Sequence, residues 1–435
     1  MRTLAVVILL LVIAVPVTLL LLSGGTTLKL DPPVTVIGTL TPVQVRVENP
    51  HGLRRLTAII EQNGTRYTVI DLKEPANRVT FWRKHKGLEI RRFQAGKQQA
   101  PALRDGKARL IVEAESNDFR GRTDSVEADV QIITQAPRVT ADGAQHYINE
   151  GGSELVAFTP SGYVTDSGVR VGRYAFRSFP DPAQAGQRFS LFAYPWDLPG
   201  DIVPVVYAGN PAGAEATARF WYKLFPKKFR SRDLVIDDAF LEKVVNQIEP
   251  NGSGDLLTRF LKINGEMRRQ NNKTLADLRW KTADHFLWSG AFLPLVNAAI
   301  ESNFADKRSY IYKGKKVDEQ VHLGFDLAVT QHIPVPAAND GRVVWAENLG
   351  IYGNCVVVDH GYGLQSIYGH LSEFAVKAGD MVKKGQSLGK SGSTGLAGGD
   401  HLHFSMQVDG VQVNPIEWWD EHWIKDRILS KVKAQ

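Results

Sequence analysis

A mainly β chain is expected from this sequence, on three observations. Apolar and polar residues alternate with a period of two over short stretches, as where Val43, Val45 and Val47 interleave with Gln44, Arg46 and Glu48. Turn residues, drawn from 39 glycines and 21 prolines, punctuate those stretches. Helical spacing is confined to the N-terminus and one interior segment. A length of 435 residues suggests about three domains beyond the N-terminus. The segments read as 1–27, 28–135, 136–230, 231–286 and 287–425.

In residues 1–27, the run Leu4 to Leu22 carries no charge, close to the roughly twenty residues that cross a hydrocarbon core. Ser23, Gly24 and Gly25 are small, but neither an Ala-x-Ala exit nor a lipid-accepting cysteine accompanies them. A retained N-terminal transmembrane helix is therefore expected rather than a cleaved signal. Arg2 adds a slight positive-inside bias that leaves the N-terminus in the cytoplasm.

Residues 28–135 read as an Ig-like β-sandwich. Asn63-Gly64 separates Ala58-Ile59-Ile60 from Tyr67-Thr68-Val69-Ile70, and that dipeptide suits the positive φ angles of a two-residue hairpin. Residues 136–230 read as a second β-rich domain. Its signals are Val169 and Val171 around Arg170, an apolar run from Phe189 to Tyr194, and a strand expected over Ala216 to Tyr222, with Phe220, Trp221 and Tyr222 assigned to core packing. Neither segment gathers acids, histidines or glycines, so both read as spacer or binding modules. Lys227, Lys228, Arg230 and Arg232 form the densest basic cluster, read as a solvated linker because no nucleic-acid motif accompanies it. The net charge of +6 is read as plain solubility.

The period changes over 231–286. Asp237 and Asp238 are N-cap candidates ahead of Phe240, Leu241, Val244, Val245 and Ile248, and Pro250 stops that helix. Asp255 to Met267 repeats the pattern with Leu256, Leu257, Phe260, Leu261 and Ile263, and a third helix is expected over Thr274 to Asp284. The plain reading is a helical linker; the sharper one is a segment that packs on the last domain and controls access to it.

Residues 287–425 are β-strands separated by glycine turns, and they hold the chemistry. His401 and His403 sit at alternate positions of an expected strand and so aim both imidazoles at one spot. His322 and Asp326 fall on one face of another, with Leu323, Phe325 and Leu327 on the opposite face. Zinc takes His nitrogen and carboxylate oxygen, and a catalytic site keeps three protein ligands with a fourth position open. Four candidates exceed three places, and of two residues at alternate strand positions one can bind metal while its neighbour reaches the metal-bound water. His370, in Ile367-Tyr368-Gly369-His370-Leu371, projects from a strand end and offers a further imidazole.

His-x-x-x-Asp, then Tyr-Gly-His-Leu, then His-Leu-His-Phe resemble the lysostaphin/LytM-type zinc metalloendopeptidases of bacterial cell walls, whose fold is a duplicated hybrid motif. The flanks Ala338 to Val343, Val356 to Gly363, Lys383 to Gln386 and Val413 to Pro415 fit as well. The match covers about Leu287 to Trp419. It implies a zinc metallopeptidase domain with His322, Asp326 and His403 as ligands of one zinc per chain, and His370 and His401 as non-ligand catalytic histidines. His401 would act as general base, for which an imidazole of pKa about 6.5 is suited, while His370 would bond the developing oxyanion or orient the water. The implied substrate is the cross-linked stem peptide of peptidoglycan, and with the N-terminal helix the expected location is that of a single-pass inner-membrane protein with its bulk in the periplasm or extracytoplasmic space. No nucleic acid is implied, and a regulatory protein partner is left open. The rival is a catalytically silent or occluded relative, acting as a wall-binding scaffold or an activator of other wall hydrolases. One departure stands out: relatives often carry Phe-Gly-x-Arg ahead of the first ligand, where this chain has Phe304-Ala305-Asp306-Lys307-Arg308. Tyr310 and Tyr312 are nearest to the upstream tyrosine that some relatives use as an oxyanion donor.

The remaining candidates take plainer readings. His360 is a structural hydrogen-bonding residue, and His332, His51, His85, His146, His285 and His422 are surface. Cys355, the single cysteine, is a small buried hydrophobe that allows no intrachain disulfide. Gly379 to Gly385 resembles lipoyl and biotinyl carrier turns but lacks the Met-Lys-Met setting. Gly392, Gly395, Gly398 and Gly399 lack the Lys-Ser/Thr ending of a phosphate loop and read as a loop bordering the substrate groove.

Overall fold

A computed structural model describes residues 2–83 and 86–432, with side chains from Val7 onward. His85 lies outside the described residues. The molecule is mainly β, and its contacts divide it into two units: 1–137 with 162–165 and 209–215, and the remainder.

The first unit opens with α1 (Arg2–Leu22). The expected transmembrane helix is not supported here: among the described residues no helix is long and apolar enough to cross a membrane. Two sheets follow, one of three strands and one of five. Val43, Val45 and Val47 turn inward from the three-stranded sheet and meet Leu56, Ala58, Ile60, Leu110 and Val112 from the other in one core. Leu53–Gln62 and Thr65–Lys73 pair antiparallel with Gln62 opposite Thr65, and Asn63 and Gly64 take φ of 51° and 78°, the two positive angles a type I′ turn requires. His51, expected at the surface, is buried, because its Nε2 meets the Leu22 carbonyl where α1 ends.

The second unit begins with two four-stranded sheets. Arg188–Ala193 is almost wholly buried, as its continuous apolar run implies, and Phe220 is buried whereas Trp221 is exposed. The strand expected over Ala216 to Tyr222 divides into Glu215–Arg219 and Tyr222–Phe225. His146, also expected at the surface, is buried between Asp142 and Lys431.

The elements that carry the candidate site come next. These are β1 (Ser231–Ile236), α2 (Asp238–Ile248), α3 (Leu256–Lys262), α4 (Arg268–Asp277), β2 (Ala299–Ser302), β3 (Asp306–Tyr312), β4 (Lys315–His322), β5 (Phe325–Ala328), β6 (Gly341–Asn348), β7 (Asn354–Asp359), β8 (Leu364–Leu371), β9 (Met381–Val382), β10 (His401–Val408) and β11 (Val411–Val413). An eight-stranded sheet runs β2-β5-β10-β8-β7-β6-β9, with β11 paired to β10, and β1-β3-β4 form a second sheet. Strand β7 shows why the large sheet holds: Val356 and Val358 join the core shared with the preceding β sheets, while Cys355 and Val357 join the core shared with the helices. A strand buried on both faces reads as an unbroken apolar run, which is what Cys355-Val356-Val357-Val358 is.

The helical stretch thus closes one face of that sheet. Asp237 caps α2 by accepting the Phe240 N–H at 2.8 Å, and Asp255 caps α3 through the Thr258 N–H at 2.8 Å. Leu241, Val244, Val245 and Phe260 fill the core with Val344, Val357 and Ile367. The third helix lies earlier than Thr274–Asp284. It continues from α3 through a π-turn over Ile263–Met267 and ends at Asp277, because the helix, though it opens on the polar run Arg268 to Lys273, places Asn271 and Leu275 on the buried side.

Candidate metal and catalytic site

The strand expected to carry both His322 and Asp326 is broken between them. β4 ends at His322 in the smaller sheet, and β5 begins at Phe325 in the larger. Gly324 lies in the gap. A Cβ there would stand 2.7 Å from Cε1 of His403, so only glycine lets the chain pass over that ring. Pairing of β5 with β10 sets Asp326 opposite His403, and pairing of β8 with β10 sets Gly369 opposite the same residue.

Three donors converge. His322 Nε2 lies 2.9 Å from Asp326 Oδ1 and 3.0 Å from His403 Nδ1, and His403 Nδ1 lies 3.1 Å from Asp326 Oδ1. These residues form the group of His and Asp side chains suited to a metal ion among the described residues. Proton placement makes the fit sharper. His322 Nδ1 is 3.0 Å from the Asn303 carbonyl, which can only accept, so Nδ1 carries the proton and Nε2 presents a lone pair. Burial pushes the pKa of His322 down to about 4, so a second proton is absent at neutral pH. Burial opposes the charge of Asp326, yet the adjacent histidines outweigh it and hold its pKa well below the usual range. A lone pair and a carboxylate oxygen at 2.9 Å repel unless a proton or a metal ion lies between them. Zinc ligands at roughly 2.0–2.1 Å from the metal stand about 3.3 Å from one another in a tetrahedron, close to the spacing here. His403 Nε2 is buried without a partner.

Two more imidazoles border the group. His370 Nδ1 is 2.8 Å from the Thr394 carbonyl and His401 Nδ1 is 2.9 Å from the Gly399 carbonyl, so both carry the proton on Nδ1 and keep Nε2 as an acceptor. Their rings are 4.7 Å apart. His401 Nε2 reaches to 3.5 Å from Asp326 Oδ1. Burial works against a charge on His401, but a protonated ring would donate from Nε2 to Asp326 and meet that carboxylate's charge, and these prevail to raise its pKa. Burial and the neighbouring histidines hold His370 well below its ordinary value. His370 sits at φ 64°, a left-handed backbone that costs a non-glycine residue about 1–2 kcal/mol and that aims the ring into the cluster.

Residues outside the motifs complete the site. Arg308 Nη2 donates to Asp326 Oδ2 at 2.6 Å, leaving Oδ1 for the cluster. The departure at Phe304 to Arg308 has a geometric sense: Ala305 takes φ 61°, a conformation that glycine adopts freely. Tyr352 stacks edge-on to His403 at 5.4 Å, and its hydroxyl donates to Asn272 Oδ1 at 2.9 Å. These residues open onto a cleft of about 610 Å³, whose wall includes Asp237, Phe240, Arg268 and Asn272 from the helical stretch, and Gly398 and Gly399 from the glycine loop. Tyr310 also lines it, whereas Tyr312 turns to Asp238. Tyr352, Arg268 and Asn272 were not legible as site residues in the sequence, since a lone tyrosine and a polar helix face carry no metal signature. The glycines Gly350 and Gly353, at φ 47° and 60°, were the one local hint that the turn around Tyr352 is shaped.

The other histidines stand apart. His360 is buried and bonded at both nitrogens, to the Asp340 carbonyl and to Ser366 Oγ, and burial pushes its pKa down to about 4. His332, His285 and His422 are exposed. Cys355 is buried, and burial raises its thiol pKa.

Residues 320–415 match the family described as Peptidase family M23. The chain is 37% identical over 123 residues, 28% of this chain and 27% of the other, to DD-carboxypeptidase/endopeptidase Mpg of Neisseria meningitidis serogroup B. It is 31% identical over 189 residues, 43% of this chain and 40% of the other, to peptidoglycan DD-endopeptidase ShyA of Vibrio cholerae. The catalytic domain of the antimicrobial peptidase lysostaphin from Staphylococcus simulans shares 28% identity over 32% of this chain and 94% of its own, with a TM-score of 0.21. The chain thus spans well under half the length of the curated relatives it matches. The matched segment contains His322, Asp326, His370, His401 and His403, and for that segment the lysostaphin/LytM-type resemblance is supported: it is an M23 peptidase domain.

Proposed function

We propose that this protein is a zinc metalloendopeptidase that hydrolyses peptide cross-links of bacterial peptidoglycan. The observation that carries the reading is the convergence of His322 Nε2, Asp326 Oδ1 and His403 Nδ1 within 3.1 Å of one another, with two acceptor imidazoles beside them. His322, Asp326 and His403 would hold one zinc ion. Bound there, zinc supplies a Lewis acid for a peptide carbonyl and a water of lowered pKa.

The chain's own groups supply the rest. His401, its Nδ1–H held by the Gly399 carbonyl, presents Nε2 as the general base that takes the proton of the attacking water and later returns it to the leaving amine. His370, held likewise by the Thr394 carbonyl, orients that water in its neutral form. Arg308 keeps the Asp326 carboxylate turned to the cluster. The walls formed by Phe240, Ile351 and Leu396 exclude bulk water and lay an extended peptide along the cleft.

The same reading holds the chain at the inner membrane through its apolar N-terminal segment, with its bulk in the periplasm. What supports this is the charge-free sequence Leu4 to Leu22 and the exposure of Val7 to Val12 on α1. The activity is tested by incubating the purified protein, with zinc quantified, against intact sacculi and identifying released peptides by mass. Release of cleaved cross-links is expected; none despite bound zinc would favour the scaffold or activator reading.

A further inference from the structure

Three arginines, Arg232, Arg268 and Arg308, line the cleft, and their partners differ in kind. Arg308 is spent on the Asp326 carboxylate. Arg232 donates to the backbone carbonyl of Glu301 at 2.6 Å and lies 3.5 Å from Ser302 Oγ, both neutral acceptors. Arg268 donates through Nε to the Asn264 carbonyl at 3.1 Å and through Nη2 to Asn264 Oδ1 at 2.5 Å. Asn264 is itself fully buried and fixed by donating to Asp318 Oδ2 at 2.6 Å. The guanidinium of Arg268 is therefore clamped along one edge by a neutral amide. Among the described residues it has no ion-pair partner, and Nη1 makes no hydrogen bond. The acids that share this lining away from the metal cluster are Asp237, engaged in capping α2, and Glu301, which is exposed.

Position along the cleft follows from the helix. Arg268 and Asn272 are four residues apart on α4 and share a face, with Arg268 one turn, about 5.4 Å, further on. Asn272 holds the Tyr352 hydroxyl, and the Tyr352 ring lies against His403. The path from the metal cluster therefore runs Tyr352, Asn272, Arg268. A charged group bound at Arg268 lies beside the scissile bond along an extended peptide, not at it.

We propose that Arg268, assisted by Arg232, is a specificity-determining residue that binds a free carboxylate on the substrate peptide. This rests on the peptidase reading above and narrows its substrate class. The peptide carries an ionised carboxylate to one side of the cleaved bond, as stem peptides built from dicarboxylic amino acids do and bridges made only of glycine do not. A planar guanidinium with one edge fixed and the other free suits such a group, because a charge-assisted bond to carboxylate is about twice as strong as a neutral one. Both arginines lie outside residues 320–415, so this selectivity belongs to the helical stretch and β1.

The test uses the full chain loaded with zinc and two synthetic cross-linked stem peptides that differ only in a free carboxylate against its carboxamide. The carboxylate form is expected to be cleaved with kcat/KM about tenfold or more higher, through KM. Arg268→Gln should bring the ratio towards one, and Arg268→Lys should restore part of it. Equal cleavage of both peptides by the unmodified protein overturns the proposal without need of any variant. A preference that survives both Arg268→Gln and Arg232→Gln also overturns it. Cleavage of neither peptide, with zinc bound, overturns the peptidase reading instead.

Discussion

Backbone carbonyls set the tautomers of three of the four imidazoles gathered here, which are alike as residues. Asn303, Thr394 and Gly399 each accept an Nδ1–H, from His322, His370 and His401 respectively, and so turn three Nε2 lone pairs towards one small volume. His403 differs, since it meets Asp326 through Nδ1. The two histidines of His401-Leu402-His403 should therefore fail differently. His403→Ala is expected to lose zinc, read by metal analysis after dialysis, whereas His401→Ala should keep zinc and lose about a hundredfold or more in turnover, the usual weight of a general base. Near-normal turnover in His401→Ala with zinc bound would remove it from the mechanism. Arg308 gives a second residue-scale prediction. Its bond to Asp326 Oδ2 orients a proposed ligand, and losing such a contact typically costs about 10–100-fold in metal affinity. Arg308→Met should accordingly bind zinc about tenfold or more weakly in a competition titration with a chelator. Unchanged or tighter binding would show that its positive charge opposes the cation more than its bond aligns the carboxylate.

At the scale of elements, the helical stretch behaves as a layer of the peptidase unit. Phe260 on α3 is fully buried, lies 5.5 Å from the Tyr310 ring, and shares a core with Val357 and Ile367 of the large sheet. Phe260→Ala is expected to cost about 3–5 kcal/mol in urea unfolding. A fragment starting at residue 287 uncovers that face of the sheet and should bind a hydrophobic dye and lack a cooperative transition. A Phe260→Ala cost under about 1 kcal/mol would mark the helices as a loosely attached connector after all. How legible was this? The caps at Asp237 and Asp255 and the apolar stripe of α2 could be read directly, because capping and helical period are local. The start of α4 could not, since Arg268 to Lys273 is polar and its buried face exists only once Asn271 has met the Ile351 N–H at 2.9 Å. The same divide runs through the site. His401 and His403 were legible as a strand pair, but the break at Gly324 that moves His322 and Asp326 onto different strands depends on the close approach of His403 from a strand some eighty residues later.

Across the whole second unit, long-range polar contacts supplement the shared cores, and one of them titrates near neutrality. Glu417 lies in the turn Pro415–Trp419, just past the family match, and is buried. It accepts the Asn149 side-chain amide at 2.7 Å and the Ser153 N–H at 2.8 Å, so it ties the end of the peptidase region to the β sheets that precede it in sequence. Nothing local announced this, because the partners are more than 260 residues apart. Burial raises its pKa from 4.5 to about 7, even though these donors favour the ionised form. The sign follows by linkage. Below pH 4.5 the carboxyl is protonated in both folded and unfolded chains. Between pH 4.5 and 7 the unfolded chain releases the proton and the folded one retains it, so stability falls as pH rises, and above 7 it levels off. The contribution lost is on the order of 3 kcal/mol. Glu417→Gln has no proton to release, so the stability of the unmodified protein relative to this variant should fall by roughly that amount between pH 4.5 and 8. Tryptophan fluorescence is the natural probe, because Trp418 packs against Trp288 and Trp423 beside the carboxylate. A difference between the two proteins that stays flat across that range would mean that Asn149 and Ser153 stabilise the carboxylate as fully as water does.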